Sequence, residues 1–175
     1  MSELYKSILS KGSKMDFHLI PMKKTRKKPK TGDVFVVQPI EGVYYYGKVI
    51  ISKYRSEYEM YNGMPLVYIY DEFSTKIKMP QSLEKILIAP LITNYGPWTQ
   101  GYFQTIGNIP VLEKELDSNY GFVTYKASDI VTRKDPLYLD LHGNNIKGEP
   151  KYYHLYSLTS YSGINYELCK ALGIE

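Results

Sequence analysis

The sequence has little of what catalytic and secreted proteins use most. It holds one cysteine, Cys169, among 175 residues, which excludes an internal disulfide and a cysteine-based zinc site. Its three histidines, His18, His142 and His154, show no H-x-x-x-H spacing, so no metal motif is present. Nothing approaches the glycine-rich phosphate loops of nucleotide-binding proteins. The longest mainly apolar stretch, Ile86 to Ile92, is broken by Pro90 and is about a third of the ~20 residues a membrane-spanning helix needs. The N-terminal part lacks the hydrophobic region of a secretory signal, which makes a reducing cytoplasm the expected compartment.

What is abundant is tyrosine: 19 Tyr accompany 5 Phe and 1 Trp. Tyrosine favours strands and wet interfaces. The net charge of +4 is unevenly spread, since residues 1–30 hold nine Lys/Arg against two acids while residues 31–175 hold 13 against 16. The run Lys23-Lys24-Thr25-Arg26-Lys27-Lys28-Pro29-Lys30 repels itself and carries proline. Its composition predicts a basic, partly disordered arm over residues 1–30 and a single folded domain over 31–175. Within the arm, Leu4, Tyr5, Ile8 and Leu9 can form one side of a short helix.

From Gly32 the pattern turns to strands. Val34 to Val37 reads as a strand buried on both faces, and Val43 to Arg55 as a second strand, long enough to need a bend at Gly47. Pro65 to Asp71, Lys85 to Thr93 and Thr99 to Ile106 follow. Leu137 to His142 and Lys151 to Leu158 read as a pair joined by a turn-rich loop. A short helix near Ile164 to Leu172 ends at Gly173. The expected fold is mainly β, a small partly open barrel or strongly curved antiparallel sheet with a short C-terminal helix.

Three chemistries can be set out. Asp140, His142 and His154 allow a hydrolytic or metal-binding group if their strands are neighbours; an exposed strand face beside a polar loop is the plainer reading. Cys169 on a short apolar helix reads as a small buried hydrophobe rather than a nucleophile. The basic run can neutralise phosphates as a nucleic-acid-binding arm, although the body is net acidic and lacks an RNA-binding strand motif. No cofactor and no metal are expected.

The tyrosines favour protein binding. Tyr44, Tyr46, Tyr68 and Tyr70 alternate along strands near the acids Glu57, Glu59, Asp71 and Glu72. A tyrosine and carboxylate surface of this kind suits a basic protein partner, while ordinary sheet packing with hydroxyls at the rim accounts for any one ring.

Lys30-Thr31-Gly32-Asp33-Val34-Phe35-Val36-Val37, followed by Tyr44-Tyr45-Tyr46-Gly47-Lys48-Val49-Ile50, resembles the opening of the immunity protein 26 family. Later pieces are compatible: a strand ending in Asp71, then Pro97-Trp98 leading into Ile106-Gly107-Asn108-Ile109-Pro110. The long basic arm and the extended C-terminal half depart from the family pattern. The resemblance implies a bacterial protein that binds and neutralises a cognate toxin by surface occlusion, without catalysis. It also marks Gly32, Asp33, Phe35, Tyr46 and Gly47 as motif residues, which we expect to set a turn, fill the core and permit a bend. A nucleic-acid-binding module is the alternative and a hydrolase the third.

Overall fold

A computed structural model describes residues 16–127, 129 and 131–174. The expected helix at Leu4 to Leu9 lies outside these residues. The first six-stranded sheet contains β1 (Asp33–Ile40), β2 (Val43–Ile51), β3 (Leu66–Ser74), β4 (Ile86–Thr93), β5 (Phe103–Asn108) and β10 (Leu158–Thr159), in the order β10-β4-β3-β2-β1-β5. The second contains β6 (Tyr120–Thr124), β7 (Leu137–Asp140), β8 (Asn145–Ile146) and β9 (Tyr152–Leu155), in the order β8-β7-β6-β9. Among the described residues two α-helices complete the framework, α1 (Gly96–Gln100) and α2 (Tyr161–Leu172). None of the described helices is long and apolar enough to cross a membrane.

The mainly β character and the C-terminal helix match expectation, but neither sheet closes into a barrel and neither is purely antiparallel. β10 runs parallel to β4, and β9 runs parallel to β6. The expected pairing of Leu137–His142 with Lys151–Leu158 fails because β6 lies between β7 and β9. Thr99–Ile106 is likewise divided: α1 with Pro97 in its first turn ends at Gly101, and the strand starts at Phe103.

Why Val34 to Val37 is wholly apolar now follows, because the first sheet is covered on both sides. Phe35, Val37, Val49, Val67, Ile69, Leu91 and Trp98 pack with Ile164 and Leu168 of α2. On the other face, Ile50, Leu66, Tyr68, Tyr70 and Ile92 pack with Phe122 and Leu139 of the second sheet. α2 is held at its start by the Ser160 hydroxyl, which accepts from the Gly163 amide at 3.4 Å, and at its end by Gly173 in the left-handed region.

Residues 18–25 are laid against the body. Leu19 is buried in the core, and the Ile20 amide donates to the Gln38 carbonyl at 2.8 Å. The Met22 and Thr25 amides donate to the Gly101 and Trp98 carbonyls at 2.7 and 3.0 Å. The chain therefore joins the fold ahead of the expected start at Thr31, because an apolar stretch, Leu19 to Met22, precedes the lysines.

The motif residues have steric reasons. Phe35 pairs with Gly47 across β1 and β2, and its ring lies where a Gly47 side chain would begin. The β2–β3 register shifts between Tyr45 and Gly47, an irregularity at the position expected to bend, while the strand itself ends at Ile51, short of the expected Arg55. Gly32 has φ of 86°, and a Cβ there would meet the Ile109 carbonyl at 2.8 Å. Asp33 accepts from the Lys30 amide and the Asn108 side-chain amide, both at 2.9 Å.

One ion pair joins the middle of the first sheet to the crossover toward the second. Lys48 Nζ donates to Glu115 Oε2 at 2.7 Å and to the Pro110 carbonyl at 2.9 Å, with side-chain exposures of only 2% and 7% for the charged partners. Tyr70 donates to Glu115 Oε1 at 2.7 Å, Tyr68 to the Glu115 carbonyl at 2.8 Å, and the Leu112 amide to Glu115 Oε2 at 2.8 Å. Burial alone pushes the Glu115 carboxyl up, but the Leu112 amide, Lys48 and Tyr70 together bring it below its ordinary value. Burial pushes the Tyr68 and Tyr70 phenols far up, so both stay neutral.

Two predictions follow. Gly47→Ala drives a methyl into the Phe35 ring and should lower stability by about 1–3 kcal/mol in denaturant unfolding, with Phe35→Leu restoring part of the loss. Glu115→Gln strands a buried ammonium and should cost about 3–5 kcal/mol, whereas Lys48→Met with Glu115→Gln should cost less. Because the folded-state value of Glu115 lies below the unfolded one, its stabilisation is complete above the usual carboxylate range and drains away as pH falls through the lowered value. Acid unfolding curves of Glu115→Gln should lack that component.

Candidate functional site

The expected tyrosine and carboxylate surface is divided by the fold. Tyr46, Tyr68 and Tyr70 are all buried, Tyr68 and Tyr70 under the second sheet and its crossover, and Tyr46 with Val34 and Val36 against Met22, Leu83, Ile106 and Ile109. The hydroxyls of Tyr68 and Tyr70 serve the interior: both hold Glu115, and Tyr68 stacks on Tyr120 with ring centroids 4.7 Å apart. The alternation that places phenols on both faces of a strand gives surface tyrosines only when one face is open, and at Tyr46, Tyr68 and Tyr70 neither is.

The acids fall at opposite ends of β3. Asp71 and Glu72 stand near its C-terminal end, where Tyr44 pairs with Ser74. Glu57 and Glu59 stand on the loop that precedes its first residue, Leu66, which at ~3.3 Å per strand residue is itself roughly 16–20 Å from Asp71 and Glu72. Asp71 forms an ion pair with Lys85, and Glu72 Oε1 accepts from the Glu84 and Lys85 amides at 3.1 and 2.9 Å. Both therefore fasten the β3–β4 connection. Tyr44 is half-buried against Val34, Val36 and Tyr46.

Glu57 and Glu59 belong to a built surface feature. The loop from Ser52 to Pro65 closes on itself, with Tyr54 N donating to Met64 O at 2.8 Å and Gly63 N to Tyr54 O at 2.9 Å. Ser56 N donates to Asn62 Oδ1 at 2.7 Å, and Tyr58 N to Ser56 Oγ at 3.0 Å. From outside, Tyr95 donates its hydroxyl to Gly63 O at 2.6 Å, and Ser56 Oγ shares a 2.8 Å hydrogen bond with the Tyr156 hydroxyl. Tyr58, Tyr61 and Tyr156 pack with centroids 5.2–6.0 Å apart.

On this rigid base Tyr58 and Met60 project with 60% and 63% of their surface exposed. Glu57 and Glu59 flank them, both exposed and neither in an ion pair among the described residues. The approach carries Lys53 and Arg55, also exposed. An ordered tyrosine and methionine pair with charged flanks has the make-up of a protein-interface anchor, with fewer degrees of freedom to lose on binding than a mobile loop. Composition alone pointed to Glu57 and Glu59; Tyr58 and Met60 were missed because they sit on no strand and in no alternation.

The enzymatic candidates separate. Asp140 caps a turn, accepting from the His142 and Asn144 amides at 2.8 and 2.9 Å and from the Asn144 side chain at 3.0 Å. Burial acts to raise its carboxyl, and these hydrogen bonds bring it net below the ordinary value, so it is a settled anion. His154 lies two strands away on β9, with Nε2 3.5 Å from Glu167 Oε1 of α2. Cys169 is buried, and burial pushes its thiol up, away from thiolate character. No group of three metal-ligating side chains occurs among the described residues.

Comparison with known proteins bears on the same region. No curated protein and no solved structure matches the chain. The immunity protein 26 family matches residues 30–129, which takes in β1 to β6, the Gly32 turn, the Phe35–Gly47 contact and the Lys48–Glu115 pair. Since that match covers more than half of the sequence, the chain belongs to the immunity protein 26 family.

Proposed function

We propose that this protein neutralises a cognate protein toxin by binding it one to one, with the Tyr58 and Met60 loop as the anchor of the interface. Membership of an immunity protein family supports a protective role. The observation that carries the site assignment is the pair of large, strongly exposed side chains on a loop tied down from both sides. The complementary surface on the toxin is an apolar pocket with basic groups at its rim, placed to meet Glu57 and Glu59. Occlusion then comes from the bulk of the bound domain, and no covalent step is needed.

Tyr44, Tyr46, Tyr68, Tyr70, Asp71 and Glu72 take a supporting part in this reading. They fix the sheet and the β3–β4 connection, while Glu57 and Glu59 touch the partner. Tyr58→Ala and Met60→Ala should each weaken binding to the product of the adjacent toxin gene by about 30-fold, or about 2 kcal/mol, read by calorimetry. The melting temperature should stay within error in Met60→Ala and fall by only about 2–4 °C in Tyr58→Ala, which loses its ring contacts with Tyr61 and Tyr156. Unchanged affinity in both variants would remove the loop from the interface, and failure of the unaltered protein to bind or protect would remove the toxin reading itself.

A further inference from the structure

The basic segment forms one wall of a slot along the open edge of the first sheet. β5 is the last strand of that sheet and pairs on one side only, with β1. The chain ahead of it is tied at both ends of β5: Thr25 N binds Trp98 O just before the strand, and Asn108 at its end donates to Thr31 O at 3.1 Å and to Asp33 Oδ1. Between these ties, no backbone hydrogen bond joins residues 26–29 to β5. What remains is a groove of about 580 Å³, lined by Lys23, Lys27, Lys28 and Lys30 on one wall and by Gln104 and Thr105 of β5 on the other.

Charge in the groove is mostly positive, four lysines against one carboxylate. Asp33 is the single carboxylate on its lining, and both its oxygens already accept hydrogen bonds, from Lys30 N and the Asn108 side chain. None of the four lysines forms an ion pair among the described residues; Lys28 lies 5.1 Å from the centre of the Tyr95 ring. An edge strand offers main-chain donors and acceptors to any extended chain laid beside it at ~4.8 Å. Lysines held above such an edge favour a strand carrying carboxylates.

We propose that this groove binds an acidic, extended peptide segment of a partner protein, added as a further strand against β5 with its carboxylates under the lysines. The site is separate from the Tyr58 loop and does not depend on the toxin reading. Single-stranded nucleic acid fits it less well, because no aromatic ring lines the groove to stack a base.

The test uses the full chain and a fluorescent peptide of alternating Glu and Val, as long as β5. Micromolar binding is expected, weakening about ten-fold as salt rises from low to physiological strength, with slowed amide exchange at residues 103–108. Lys23→Gln/Lys27→Gln/Lys30→Gln should lose about ten-fold in affinity at an unchanged melting temperature. A peptide with proline in place of valine keeps the charge but cannot complete the strand, and should bind about ten-fold more weakly. Equal binding of the proline peptide, absence of protection on β5, failure of the Glu-Val peptide to bind, or preference for an oligothymidylate of equal charge would each overturn the proposal.

Discussion

The Glu115 carboxylate is the point on which the two sheets agree. It is buried, ionised and surrounded by donors from three separate places: Lys48 on β2, Tyr70 on β3 and the Leu112 amide on the crossover itself. A buried carboxylate without these donors would be prohibitive, and a buried Lys48 without Glu115 equally so. The crossover from β5 to β6 is thereby held over the sheet in one register, and Tyr120, just beyond it, stacks on Tyr68. Burial pushes the Tyr120 phenol up to about 12, so this contact stays uncharged under ordinary conditions. With the second sheet in place, one face of β3 and β4 is closed, and Tyr68 and Tyr70 of β3 become interior hydrogen-bond donors.

That closure decides what the surface can offer. Most of the aromatic content is spent on packing: Phe35 stacks on Phe103 at 4.1 Å and on Trp98 edge-to-face at 5.5 Å, and Tyr120 stacks on Tyr152 at 5.3 Å. What is left for recognition lies at ends and edges. The Ser52–Pro65 loop presents the exposed Tyr58 and Met60 beside Glu57 and Glu59, and β5 is an edge strand next to the lysines of residues 23–30. The net charge of +4 conceals a mixed-charge loop and a basic groove, and the basic segment is a wall of the fold over its described part.

Local order was legible in the sequence where local chemistry determines it. The wholly apolar Val34–Val37, the irregularity at Gly47 and the stop at Gly173 each follow from a few neighbouring residues, and the structure has them in place. Long-range order was not. Nothing near Glu115 announces that it meets Lys48, 67 positions earlier, because a Glu in a polar stretch reads as solvated. The insertion of β6 between β7 and β9 depends on a parallel pairing that alternation does not encode, and it separates Asp140 from His154. The lysines 23–30 read as a free arm because charge repulsion outweighs pattern in a short window. The counter-signal was the apolar stretch before them, where Leu19 becomes core.

The central claim is that this immunity protein acts as a stoichiometric binder rather than as a catalyst. Titrating a fixed amount of active toxin with the protein and reading residual toxin activity tests it most directly. Binding by occlusion predicts a linear fall that reaches zero at one equivalent and returns when the complex is dissociated. Complete neutralisation by a small fraction of an equivalent, persisting after the protein is removed, would contradict the account.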